Sequence, residues 1–173
     1  MYNGEHMNND IIDVTIYLAG PLDLGVDVQW KKLLQTELET LGVHAVLFNP
    51  GSAYLFSNYG PNLHSVHRAE YVKSVNMAAL INADILVVSM PSKVQSIGTP
   101  IEMWIAQESG IRTLCLTDIP VGQSIYLDFI LSRPESTRYI YDAKSLEHTI
   151  KIIAEDIYRF ALNRQSSNGT LSI

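Results

Sequence analysis

Ile85-Leu-Val-Val88 is an unbroken aliphatic run between Ala83-Asp84 and Ser89. A strand covered on both faces reads as such a run, so this stretch marks the centre of a parallel sheet. On either side of it, short apolar runs alternate with stretches of helical period, the pattern of βαβ units. Before it lie two strands, Val14-Thr-Ile-Tyr-Leu18, ended by Gly20-Pro21, and Val43 to Phe48, closed by Asn49-Pro-Gly51. Between them, Val28 to Leu41 sets Trp30, Leu33, Leu34, Leu38 and Leu41 on one side, with Gly42 as the expected C-cap. Val66 to Asn82 reads as a second helix. After the central strand a helix begins near Pro100 and ends before Gly110. Arg112-Thr-Leu-Cys-Leu116 and Arg138-Tyr-Ile-Tyr141 read as further strands. Ser145 to Leu162 closes the chain as a helix capped by Ser145, with Ile150, Ile153, Ile157 and Phe160 apolar. The expectation is a three-layer α/β/α domain over residues 14–163, with a five-stranded, mostly parallel, Rossmann-like sheet. Residues 1–13 and 164–173 read as flexible tails.

Composition narrows the function classes. The chain has 173 residues, of which 47% are apolar and 17% charged, as expected for a globular domain with a sizeable core. A net charge of −6 argues against a nucleic-acid polymer as partner. Local amides and hydroxyls still allow a small anionic ligand. The lone cysteine, Cys115, permits no internal disulfide and sits in an apolar strand, where a buried inert thiol is expected. No secretory pattern and no bilayer-length apolar run is present, so a cytoplasmic location without membrane contact is expected.

In open α/β sheets, ligands sit outside the carboxyl ends of the strands. Four loops fall there: Gly20-Pro-Leu-Asp23, Asn49-Pro-Gly51, Ser89 to Thr99, and Thr117 onward. The irregular stretch from Ser52 to about Leu63 has the length of a lid or binding loop. In Ser96-Ile-Gly-Thr-Pro-Ile-Glu102, Gly98 allows close backbone approach, Thr99 suits a helix cap and Pro100 its first position. Thr99-Pro-Ile-Glu102 matches a capping box, in which Glu102 reaches back to the Thr99 amide. A carboxylate at a helix N-terminus is also kept ionised, as a nucleophile must be, so the two roles are compatible.

Ile16-Tyr-Leu-Ala-Gly-Pro21, Ala83-Asp84 before Ile85-Leu-Val-Val88, and Gly98-Thr99…Glu102…Ala106 occur in one order and spacing. Together they resemble the nucleoside 2-deoxyribosyltransferase superfamily, over about Thr15 to Tyr141. That group includes 2′-deoxynucleoside 5′-monophosphate N-hydrolases and cytidylate N-glycosidases. The resemblance implies a flavodoxin-like sheet and an N-glycosidic-bond enzyme, hydrolase or deoxyribosyltransferase, acting on a nucleoside or nucleoside 5′-monophosphate. Glu102 aligns with the family nucleophile. Asn76 stands where the family usually has an aspartate near sugar and base, and asparagine cannot donate an acidic proton. The matching positions imply substrate contacts at Tyr17, Gly20, Pro21, Asp23, Ser96, Gly98, Thr99 and Asp128. Ser96 matches a phosphate-binding serine of the monophosphate hydrolases. Asp128, near another such serine supplied by a neighbouring subunit, suits a free 5′-hydroxyl better. Asp23 is also unfavourable to phosphate. Trp104 replaces a glycine usual two residues after the glutamate. The resemblance further implies a homodimer or higher homo-oligomer with shared sites, and neither metal nor cofactor.

Other residues carry weaker signals. Asp84 precedes the central strand at its amino end and reads as structural. His64 and His67 share a helical spacing, but no further metal ligands accompany them. Tyr59, His67 and Arg68 are candidates for ligand contact from the long loop. Trp30 and Trp104 read as core or interface aromatics. Two other readings accompany the enzyme: a catalytically weakened nucleotide-binding or sensing module of the same fold, and a partner-binding protein using the Trp104 face.

Overall fold

The computed structural model describes residues 12–21, 28–50, 65–93, 96, 98–142 and 144–169. Its elements are β1 (Ile12–Ala19), α1 (Val28–Thr40), β2 (Val43–Phe48), α2 (Ser65–Ile81), β3 (Ile85–Met90), α3 (Gly98–Glu108), β4 (Arg112–Thr117), α4 (Ile125–Ile130), β5 (Ser136–Ile140) and α5 (Leu146–Gly169). The five strands form one sheet in the order β2-β1-β3-β4-β5. Every pairing is parallel, which tightens the expectation of a mostly parallel sheet. This is the flavodoxin-like order, and its switch point lies between β1 and β3.

The alternation of side chains divides the core in two. Val14, Ile16 and Leu18 of β1, with Ile85 and Val87 of β3, meet Trp30, Leu34 and Leu38 of α1 and Ile150, Ile153 and Ile157 of α5. Tyr17, Leu86, Val88 and Cys115 point the other way, against Leu80 of α2, Met103 and Ala106 of α3, and Leu127 and Ile130 of α4. Each residue of Ile85 to Val88 therefore buries its side chain in one layer or the other, as the unbroken run implied.

Several boundaries differ from those read in the sequence. β1 begins before Val14, and β5 begins at Ser136 rather than Arg138. α5 continues past residue 163 to Gly169. There Ser166 and Ser167 donate to the carbonyls of Leu162 and Asn163, a back-bonding that lets polar residues remain helical. Gly42 ends α1 at φ +73°, the left-handed conformation a C-cap glycine supplies. Trp30 is core, while Trp104 is 45% exposed.

Two polar clusters fix the frame. Asp84 Oδ2 accepts from the Thr15 amide at 2.9 Å, and Oδ1 pairs with Arg164 of α5. The Asp84 amide donates to Thr15 O at 2.9 Å, so Asp84 orders the turn at the amino end of the sheet. Asp156 Oδ2 accepts from both Arg112 at 2.8 Å and Tyr139 OH at 2.5 Å, tying α5 to β4 and β5. Burial pushes the Asp156 carboxyl up, but the Tyr139 and Arg112 hydrogen bonds and the Arg112 charge outweigh it and hold it below the usual range.

Candidate active site

The site is built where α2 and α3 lie side by side over β1. α2 contributes Lys73, Asn76, Met77 and Leu80, and α3 contributes Gly98, Ile101, Glu102 and Ile105. Both sets follow the i, i+3, i+4, i+7 spacing of one helix face. Together with Tyr17 they line a cavity of about 140 Å³. That is room for one ring, a sugar or a base, since a cavity of roughly 150 Å³ holds benzene.

Tyr17 and Glu102 are its polar centre. Tyr17 is fully buried and stacks on Phe48 of β2, with ring centroids 5.3 Å apart. Its hydroxyl donates to Glu102 Oε1 at 2.5 Å, the length of a bond to an ionised acceptor. Burial pushes the Glu102 carboxyl above the usual glutamate range, while the Tyr17 hydrogen bond and the Lys31 charge act against it. Asn76, half-buried, leaves its Oδ1 buried with no hydrogen-bond partner among the described residues. An acceptor in that state is costly unless a ligand N–H or O–H meets it.

The capping-box expectation fails. α3 starts at Gly98, and the Thr99 amide donates to Ser96 Oγ at 3.3 Å. The Ser96 and Thr99 hydroxyls are 2.7 Å apart. Ser96 therefore caps the helix, which frees Glu102 to reach across to β1. Pro100 lies in the first turn rather than at its first position, where its missing N–H still costs no helical bond. Gly98 lines the cavity, but its φ is not positive and an added Cβ would meet nothing within 4 Å. No close approach within the chain demands glycine there; its bareness leaves space beside Glu102.

Of the residues expected from the sequence, the structure brings together Tyr17, Asn76, Gly98 and Glu102. Ser96 and the buried Thr99 support the start of α3. Gly20 and Pro21 are buried at the carboxyl end of β1 and do not line the described cavity. Asp128 is not brought to it either. Its Oδ1 accepts from Arg138 at 2.6 Å and its Oδ2 from the Gly122 amide at 2.9 Å. Asp23, Tyr59 and His64, and the side chains of His67 and Arg68, lie outside the described residues. The reading of the sequence missed Lys73, Met77, Leu80, Ile101 and Ile105, although the helical spacing from Asn76 and Glu102 points to each. Burial pushes the Cys115 thiol up to about 12, so it takes no part. Among the described residues, no group of three or more His, Cys, Asp or Glu is placed to hold a metal ion. No described helix is long and apolar enough to cross a membrane.

Above the carboxyl ends of β3 and β4, Asp118 accepts from Ser92 N at 2.6 Å and Ser92 Oγ at 2.7 Å. Thr117 Oγ1 donates to Met90 O at 2.7 Å. These bonds anchor the chain leading to Ser96 and α3.

Tyr17→Phe is expected to keep the fold, because only a hydroxyl is lost, and to remove the donor that favours ionised Glu102. Any turnover that depends on that carboxylate should fall roughly 10-fold near neutral pH, with its acid limb moved to higher pH. A pH–rate profile of both proteins checks this.

No family model matches the chain, and no curated protein matches it. Solved structures do share its fold. A 2-deoxyribosyltransferase from Bacillus psychrosaccharolyticus is 20% identical, with a TM-score of 0.53 over 76% of this chain and 95% of that one. A conserved protein from Enterococcus faecalis V583 is 20% identical, with a TM-score of 0.50 over 87% of this chain and 98% of that one. The CMP N-glycosidase of Clostridium botulinum is 17% identical, with a TM-score of 0.50 over 83% of this chain and 98% of that one.

Proposed function

We propose that this protein breaks the N-glycosidic bond of a nucleoside or nucleoside 5′-monophosphate, as a hydrolase or deoxyribosyltransferase, with Glu102 as the nucleophile. One observation carries the reading: a half-buried glutamate, held by Tyr17 of β1, faces a ring-sized cavity between α2 and α3. Two neighbours that share this fold are named as a 2-deoxyribosyltransferase and a CMP N-glycosidase, which supports the same class of bond.

The chemistry follows that of retaining glycosidases. Glu102 attacks the anomeric carbon as the bond to the base breaks, and its charge stabilises the oxocarbenium-like transition state. Water or a second base then displaces the glutamate. Asn76 Oδ1 accepts a hydroxyl or N–H of the ligand and positions it. Incubation with a panel of nucleosides and 5′-monophosphates, each with and without an added acceptor base, followed by chromatography, should show release of the original base. No release from any member overturns the enzymatic reading.

Asn76 favours one alternative, a nucleotide-binding or sensing module, because an amide cannot protonate a leaving base. Calorimetric binding without turnover would establish it.

The outer faces of α3 and α4 favour self-association. Trp104 and Phe129 stack with centroids 6.1 Å apart, yet remain 45% and 55% exposed. Ile101, also 55% exposed, belongs to this apolar side and to the cavity lining. A second copy seated there buries the patch and places its own residues beside the cavity. Sedimentation should give at least a dimer, and Trp104→Lys should shift the protein to the monomer mass. A monomeric parent overturns this assignment.

A further inference from the structure

Breaking an N-glycosidic bond requires more than a nucleophile. The base departs with the bonding electron pair, and a donor must meet that charge. The only ionisable side chains on the described cavity wall are Tyr17, Lys73 and Glu102. Tyr17 already donates its proton to Glu102. Asn76 offers an amide, which is no acid. Lys73 lies one turn before Asn76 on the same face of α2. It is exposed at the solvent edge of the cavity, and no hydrogen bond or ion pair engages it among the described residues.

We propose that Lys73 is the leaving-group catalyst of this site, and that the site takes bases bearing a ring carbonyl. The proposal rests on Glu102 being the nucleophile. An ammonium group has three donors and no acceptor, so it recognises the acceptor edge of an oxo-substituted base. As the C1′–N bond breaks, its electron pair passes to the base and delocalises onto the carbonyl. Lys73 gives one proton to the base and is left as the amine, while a carboxylate oxygen of Glu102 bonds to C1′. In hydrolysis, water then attacks C1′, and the ester bond returns its electron pair to Glu102. The proton released by that water restores the Lys73 ammonium. The sum is nucleoside plus water giving free base and sugar. Asn76 holds the ligand in this arrangement without moving a proton.

The test compares the parent, Lys73→Ala and Lys73→Arg on a uracil nucleoside and its 5-fluorouracil analogue, which carries a better leaving group on the same sugar. Lys73→Ala should release uracil about 10²-fold more slowly, the usual size of a proton-donor effect, and lose far less on the fluorinated substrate. Lys73→Arg should retain part of the rate by keeping the charge. Thermal unfolding should be unchanged, because the replaced side chain is exposed. Equal losses on both substrates, or no loss, overturn the role of Lys73 and leave Glu102 as nucleophile. Release only from adenine nucleosides also overturns it. A parent that releases no base from any nucleoside or nucleotide refutes the Glu102 mechanism itself, and Lys73 with it.

Discussion

Glu102→Gln should reduce base release by on the order of 10³-fold or more, because the amide cannot form the glycosyl ester. The same substitution should stabilise the fold at neutral pH. Burial raises the Glu102 carboxyl above its ordinary range, so the folded chain binds a proton there more tightly than the unfolded chain does. The stability this gives is complete below the ordinary glutamate range and is lost as pH rises through the raised value. Above that raised value the parent has lost it, whereas glutamine is neutral throughout and still accepts from Tyr17. The melting temperature of Glu102→Gln should therefore exceed that of the parent at pH 7, and the difference should close as pH falls. Loss of activity together with a lower melting temperature at pH 7 would point to a structural role for Glu102. Full activity in the variant would refute the nucleophile.

Leu86→Ala should be the most damaging single change beneath the site. Leu86 is fully buried in the central strand and sits in register with Tyr17 of β1. Truncating a leucine in such a place costs about 2–5 kcal/mol, through lost transfer energy and the void left behind. For a chain of this size that lowers the melting temperature by roughly 5–15 °C. Tyr17 loses a neighbour on its own side of the sheet, so turnover should also fall while the protein is still folded. Denaturant unfolding gives the first quantity. A variant as stable as the parent would mean that the layer between β3 and α3 repacks freely.

The strand and helix succession was legible because each layer left a period in the sequence. Ile85 to Val88 had no polar face because the structure gives it none. The end of α1 was legible at Gly42, where a local conformation demands that residue. The site was legible only in part, for a different reason. Thr99-Pro-Ile-Glu102 carries a local capping pattern, and that pattern points Glu102 at the wrong partner. Its real partner, Tyr17, is 85 residues away, and Ser96 takes the cap instead. Lys73, Met77, Leu80, Ile101 and Ile105 follow ordinary helical spacing, which marks a buried face whether protein or ligand fills it. Asp128 shows the converse. The resemblance implied a contact from Asp128 in a neighbouring subunit's site; within its own chain, Arg138, brought beside it by β5, pairs with it.

The division of the core into two layers also sets an order of assembly during synthesis. Every described residue lining the cavity lies between Tyr17 and Ile105, so both its walls are made before α5. The opposite layer waits for α5, whose Ile150, Ile153 and Ile157 cover β1 and α1. Arg164 then reaches Asp84, fastening β1 to α5 through the turn before β3. A ribosome that has not yet made α5 thus carries a chain whose cavity-lining residues are already encoded, while Trp30, Leu34 and Leu38 still await the helix that shields them from water.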